Sequence, residues 1–139
     1  MTTALTLPEG APEEVVTNAL VRDVDLAPFG FKGTLALITL DNGFDHTRPN
    51  TFGPQSLVAL DAAITEAASR KPAAIAITGK PFIFAAGADL SALAFLNKRE
   101  QAVAIGKLGH DVFRRFDEIG IPTFAFINGL ALGGGLEVG

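Results

Sequence analysis

The sequence predicts an α/β domain, and three observations carry the prediction. Short apolar runs at 34–40, 73–78 and 123–127 have the length and composition of buried strands. Stretches with apolar residues at helical spacing lie between them, at 54–70 and 100–119. Two further segments, 85–88 and 133–135, consist only of alanine and glycine, at places where a strand would hand over to a helix.

Composition narrows the functional classes. A chain of 139 residues fits one domain. Its hydrophobic share of 48% against 19% charged residues can bury a core and argues against disorder. A net charge of −4 and a pI near 5.0 provide no electrostatic footprint for nucleic acid. With no cysteine there is no disulfide framework, no thiolate metal site and no thiol nucleophile. Residues 1–10 lack the basic and long apolar regions of a secretory signal, and no apolar stretch approaches a membrane span. A cytoplasmic protein with neither nucleic-acid nor membrane partners is expected.

The elements follow in order. Residues 1–13, with two prolines and a glycine, form a loose lead-in. Residues 15–26 mix Val, Thr and Leu with charges, which predicts an edge strand with one polar face. A turn at 28–33 leads to the strand at 34–40, apolar almost throughout, and a hairpin is the simplest pairing of the two. Residues 41–53 form a polar loop in which His46 is expected to be a surface residue. Pro54 suits the first turn of a helix whose core stripe is Leu57, Leu60, Ile64 and Ala67. The strand at 73–78 then closes a strand–helix–strand unit with a parallel pair.

A turn at 79–81 precedes the apolar run from Phe82, and Asp89 is expected to be the N-cap or a first-turn acid of the helix that follows. The helix at 100–119 shows Ile105, Leu108, Val112, Phe116 and Ile119 on one face, with Arg114, Arg115, Asp117 and Glu118 largely off it. His110 on this helix is expected to be structural or solvent-facing. After 120–122 comes the strand at 123–127, then a turn signal at Asn128-Gly129 and a new helix beginning at 133–135, with Glu137 in its first turn. No repeat stands out by residue identity, but a β-β-α order followed by β-α-β recurs as a pattern.

The two small-residue exits form the candidate constellation. Each offers a backbone N–H, one near Ala88 and one near Gly134, the second at a helix start where N–H groups lack intrahelical acceptors. Two such donors converging on one point form an oxyanion hole, in which removing one donor typically costs ~3–4 kcal/mol. Glu137 beside the second donor suits proton transfer. No G-x-S-x-G elbow is present for a serine route. Two plainer readings stand beside this one: close packing or an ordinary connection at both exits, and a dinucleotide site at Gly133-x-Gly135-x-x-x-Gly139. The latter is one residue off the fingerprint, without the second strand and the later acid that it needs.

The segments Phe84-Ala-Ala-Gly-Ala-Asp-Leu90 and Ile127-Asn-Gly-Leu-Ala-Leu-Gly-Gly-Gly-Leu-Glu137 resemble the two signatures of the crotonase (enoyl-CoA hydratase/isomerase) superfamily. The helix that contains Gly109-His-Asp-Val-Phe-Arg-Arg-Phe116 falls between them, as the family has it. The likeness covers about residues 33–139, within a domain assigned to about 14–139. It implies a crotonase-like spiral of ββα turns, of which 1–139 is the N-terminal part, usually assembled as homotrimers or hexamers. It implies an acyl-CoA thioester as substrate, oxyanion donors at the N–H groups of Ala88 and Gly134, and Glu137 as the first of two catalytic glutamates. Ala86, Gly87, Asp89, Leu90 and Gly133 would line the thioester and coenzyme A. Neither a metal nor a redox cofactor is implied.

In the family the second glutamate lies about twenty residues beyond the first, past Gly139, so residues 1–139 alone are expected to be an incomplete enzyme. The loop at 41–53 is longer than the usual family turn, which points to an altered acyl pocket. The expectation is enoyl-CoA hydratase activity in fatty-acid β-oxidation, with the chain a candidate front portion of a multifunctional protein that carries a 3-hydroxyacyl-CoA dehydrogenase. An enoyl-CoA isomerase and a non-catalytic acyl-CoA-binding module are the alternatives.

Overall fold

The structure, a computed structural model, describes residues 9–91 and 93–139. Most of the expected lead-in therefore lies outside the described residues. The elements run β1 (Asn18–Asp25), β2 (Thr34–Asp41), α1 (Pro54–Ser69), β3 (Ala74–Gly79), β4 (Phe82–Ala85), α2 (Arg99–Glu118), β5 (Thr123–Phe126), β6 (Gly129–Ala131) and α3 (Gly134–Glu137), with short 3-10 turns at Ala27–Phe29 and Leu93–Phe95. This order is ββα three times over. The third repeat is complete only because of β6, which the sequence did not reveal: Gly129, expected in a turn, opens a strand. A Cβ there would stand 2.1 Å from the Phe82 carbonyl oxygen, so glycine permits the close pairing.

Four strands form the first sheet in the order β1-β2-β3-β5. β1 and β2 are the expected antiparallel hairpin, in register from Asn18↔Asp41 to Asp25↔Thr34. β2 and β3 are parallel, with Ala36↔Ile75 and Ile38↔Ile77 side by side, and β3 and β5 are parallel too. The alternation of β1 leaves Ala19 and Val21 against the core and Asn18, Arg22 and Asp23 exposed, as its mixed composition demands. α1 covers this sheet with the expected stripe of Leu57, Leu60, Ile64 and Ala67, all buried on Ala36, Ile38, Leu40, Ile75 and Ile77. Each fully buried Leu or Ile contributes ~1.5–3 kcal/mol of transfer free energy. α2 crosses α1 and is tied to it by Arg115, whose guanidinium donates to the Asp61 carboxylate and carbonyl, both at 2.7 Å. Of the α2 stripe only Val112 is buried; Leu108, Phe116 and Ile119 pack against the core in part.

Polar residues absent from the sequence expectations hold the loops. Gly53 at the start of α1 has no side chain to cap it, and Glu14 supplies the cap from forty residues away. Its carboxylate accepts the N–H groups of Gln55 and Ser56, both at 2.9 Å, and the Ser56 hydroxyl. Lys80, expected in an ordinary turn, is 4% exposed and sits beneath the loop at 41–53. Its ammonium donates to Asn42 Oδ1 (2.5 Å) and to the carbonyls of Phe44 (2.8 Å), Asp45 (2.9 Å) and Arg48 (2.6 Å). Burial pushes its pKa below that of a free lysine, against the pull of the Asp41 and Asp45 carboxylates. The loop thus closes around one cation instead of an apolar plug.

Lys80→Met retains the stem and strands these acceptors. Some of them can recover water, and the charged group's own desolvation is relieved. The expected net loss is on the order of 2 kcal/mol, read from the shift of the denaturant midpoint at unchanged slope. An unchanged midpoint would show that the ammonium's bonds merely balance its burial.

Among the described residues no helix is long and apolar enough to cross a membrane. The outer side of β5, β6 and α3 is apolar and uncovered: Phe124, Phe126, Leu132 and Leu136 are each about half exposed or more.

Candidate active site

The two small-residue exits meet because of the strand that the sequence concealed. β4 and β6 pair in parallel as a second sheet, with Phe82↔Gly129, Ile83↔Leu130 and Ala85↔Ala131. Parallel strands end on the same side, so the chain leaves both at one edge. The Leu132 N–H donates to the Ala85 carbonyl at 3.0 Å and carries the pairing one residue further. At that edge the backbones nearly touch. A Cβ on Gly87 would lie 2.9 Å from the Leu132 carbonyl oxygen and 3.1 Å from the Gly134 nitrogen, and Gly87 has φ +91°, which an L side chain rarely adopts. A Cβ on Gly135 would lie 2.0 Å from the Ala85 carbonyl oxygen. Close packing, the plain reading of these residues, is therefore real, and it brings the two exits against each other.

The first exit is held from its other side. The N–H of Ala86 donates to the Asn50 carbonyl (2.8 Å), the N–H of Phe52 to the Gly87 carbonyl (2.7 Å), and the N–H of Asp89 to the Phe52 carbonyl (3.1 Å). Phe52 and Ala88 are thereby bridged in parallel. Because the bridge runs through the neighbours of Ala88, the N–H and C=O of Ala88 itself face away from Phe52. Asn50, fully buried, anchors this ladder: its amide donates to the carbonyls of Leu40 (2.9 Å) and Phe84 (3.1 Å) and accepts the Asn42 N–H (3.1 Å). Asn128 does similar work at the third repeat, linking its amide to Gly79 N–H, Gly79 C=O and Lys80 C=O.

The second exit is the start of α3. Gly133 is its N-cap, with φ +50°, a conformation that favours glycine. The N–H groups of Gly135 to Val138 find acceptors at Leu132, Gly133 and Gly134. Gly134 is the first helical residue, so its N–H precedes the ladder. Among the described residues, no protein acceptor takes the N–H of Ala88 or of Gly134.

The remaining candidates fall around this edge. Ala88 and Gly133 are exposed, Gly87 is buried, and Ala86 and Gly134 are half-buried. Leu90 is 70% exposed. Among the described residues the Asp89 carboxylate makes local bonds, accepting the Ser91 N–H (2.9 Å) and hydroxyl (2.6 Å) in a turn, and the long helix α2 starts only at Arg99. Asx turns of this kind satisfy the side chain within two residues, which competes with capping. Glu137 is exposed in the first turn of α3. It lies in a groove of about 480 Å³ between α2, β5 and α3, with His110, Phe113, Arg114, Phe124 and Val138 among its walls. His46 is not brought to this edge. It is exposed, its ring set edge-on to Phe82 at 6.0 Å, at the far end of β4 from the exits. Among the described residues no group of three or more His, Asp or Glu is placed to hold a metal ion.

Comparison with known proteins follows the same lines. Residues 30–139 match the family described as enoyl-CoA hydratase/isomerase. The fatty acid oxidation complex subunit alpha of Shewanella frigidimarina is 37% identical over 108 aligned positions, a match that covers 75% of this chain and 15% of that protein. An enoyl-CoA hydratase from Bacillus anthracis superposes with a TM-score of 0.72 at 25% identity, over 87% of this chain and 43% of that one. Pseudomonas aeruginosa DspI superposes with a TM-score of 0.69 at 27% identity, over 94% and 49%. The chain thus spans about 15% of the length of that curated relative and under half of these solved chains. The three ββα turns, the paired exits and the match over residues 30–139 place this chain in the enoyl-CoA hydratase/isomerase family, with the crotonase fold.

Proposed function

We propose that the full-length protein is an enoyl-CoA hydratase of fatty-acid β-oxidation. The observation that carries the reading is the edge where β4 and β6 end: two exits in backbone contact, each with an N–H that, among the described residues, no protein acceptor takes. The thioester carbonyl of a 2-enoyl-CoA accepts hydrogen bonds from Ala88 N–H and Gly134 N–H. Water adds its oxygen to C3, the C2–C3 π electrons move toward the carbonyl, and the enolate charge collects on the oxygen held by the two donors. A proton then reaches C2. Glu137, with a second acid beyond Gly139, holds and deprotonates the water and returns the proton. The route uses no metal or redox group. Ala86, Gly87, Asp89, Leu90 and Gly133 flank the thioester and the start of coenzyme A.

The likeness to a fatty acid oxidation complex subunit supports a multifunctional protein in which this segment belongs to the hydratase portion. Assembly as a homotrimer or hexamer in the cytoplasm belongs to the same proposal. Such an assembly, and later spiral turns, would cover the exposed apolar side of β5, β6 and α3. An acid at position 137 favours hydration over double-bond isomerisation, for which that position often lacks one.

The test is turnover of crotonyl-CoA by the full-length protein, followed by loss of the conjugated enoyl absorbance. Hydration is the expected result. Conversion of a 3-enoyl-CoA without hydration would replace the reading with isomerase, and tight acyl-CoA binding without turnover would replace it with a binding module.

A further inference from the structure

We infer that Phe52 and Phe113 together set the spacing of the two amide donors; the inference rests on the oxyanion reading above. Phe52 belongs to the first exit, since its own N–H and C=O hold Gly87 and Asp89 on either side of Ala88. Phe113, on α2, lies beneath the second exit: its ring carbons Cε2 and Cζ are 3.7 and 3.9 Å from where a Cβ of Gly134 would stand. The two rings meet edge to face, with centroids 5.4 Å apart and planes at 68°. The fourth contact closes the circuit, for the same Cβ position on Gly134 lies 3.8 Å from the Gly87 Cα. A circuit of neighbouring groups therefore runs from Phe52 to the backbone on either side of Ala88, across Gly87 to Gly134, to the Phe113 ring that faces Gly134, and back to Phe52.

A phenyl ring can neither transfer a proton nor form a bond in this reaction, so both are positioning residues. Phe52 is 4% exposed, and shortening either ring leaves the space between the exits to be taken up by backbone movement. Backbone movement at this edge changes the aim of Ala88 N–H relative to Gly134 N–H, and an oxyanion hole loses most of its effect when its donors lose their geometry. α2 carries Phe113 among its core-facing residues, which makes the helix between the two signature segments part of the donor geometry.

The experiment uses the full-length protein with a bound acyl-CoA that does not react, and reads the infrared stretching frequency of its thioester carbonyl. Both donors polarise that bond, so its frequency drops on binding. Phe113→Leu is expected to return the frequency part of the way to its value in water, lower kcat for crotonyl-CoA about tenfold, and leave the dissociation constant of the acyl-CoA within threefold. Phe52→Leu acts alike, and the double variant loses little more than either single, because one ring suffices to open the circuit. Phe113→Met, whose unbranched chain adapts to an irregular gap, replaces Phe113→Leu if the latter does not fold. A lower melting temperature with the carbonyl frequency and kcat unchanged overturns the inference and leaves the pair as core packing. Gly134→Pro separates the two levels. If removing that N–H does not move the frequency, the oxyanion reading itself falls and the inference with it. If Gly134→Pro moves it and the phenylalanine variants do not, only the inference falls.

Discussion

Gly134→Pro is expected to abolish most hydration by the full-length protein while leaving its fold in place. Proline removes the N–H and sets its ring Cδ where that hydrogen pointed, so it deletes the donor and fills part of the space that the thioester oxygen would take. Gly134 is the first residue of α3, where a missing N–H breaks no helical bond and the fixed φ of proline suits the helix. A Cβ has room there: the nearest atoms to it are Phe113 Cε2 at 3.7 Å and the Gly87 Cα at 3.8 Å, ordinary contact distances. Loss of one preorganised donor typically lowers kcat by ~10²–10³, about 3–4 kcal/mol of transition-state stabilisation. Gly134→Ala is the control, since it adds the same first carbon and retains the N–H. The pair should show equal melting temperatures within a few degrees, alanine at near-parental kcat and proline at least a hundredfold below. Equal activity of the two variants would remove Gly134 N–H from the mechanism. Equal loss in both would point to crowding at Phe113 instead.

Sequence periodicity made most of the scaffold legible, because α1, β2 and β3 are buried and burial imposes pattern. Leu57, Leu60, Ile64 and Ala67 recur at helical spacing for the same reason that they are inaccessible in the fold. β6 left no such trace. It has three residues, two of them exposed, and opens on a glycine whose role is to let Phe82 approach, so its Asn-Gly start looks like a turn. That omission hid the parallel β4–β6 pair, which is what brings the two exits together. Long-range polar anchors were equally silent. Glu14 caps α1 across a separation of 42 residues from Ser56, and Asn50 reaches Phe84 across 34. A side chain whose partners lie that far along the chain has no local spacing to betray it. Asp89 is ambiguous in another way, since an acid ahead of a helix suits a cap and an Asx turn equally, and its described bonds are to Ser91.

Glu137→Gln carries the other large expected effect, and it separates chemistry from architecture. The side chain is exposed in the first turn of a four-residue helix, beside a groove and three residues past Gly134. An exposed first-turn acid gains well under ~1 kcal/mol from the helix terminus, so its removal does little to stability. Glutamine retains the shape and hydrogen-bonding reach of the side chain and loses only its capacity to take a proton. If Glu137 holds and deprotonates the attacking water, hydration kcat should fall by ~10²–10⁴, the usual range for a general base. Affinity for a non-reacting acyl-CoA should stay within a few-fold, because the lost interaction exists only in the transition state. The measurement is kcat on crotonyl-CoA beside a binding titration and a melting curve, all on the full-length protein. The carbonyl frequency of the bound thioester should not move, since both amide donors are intact, which distinguishes this variant from Gly134→Pro. A kcat within tenfold of the parent would reject the catalytic role of Glu137 and leave the proton to the second acid alone.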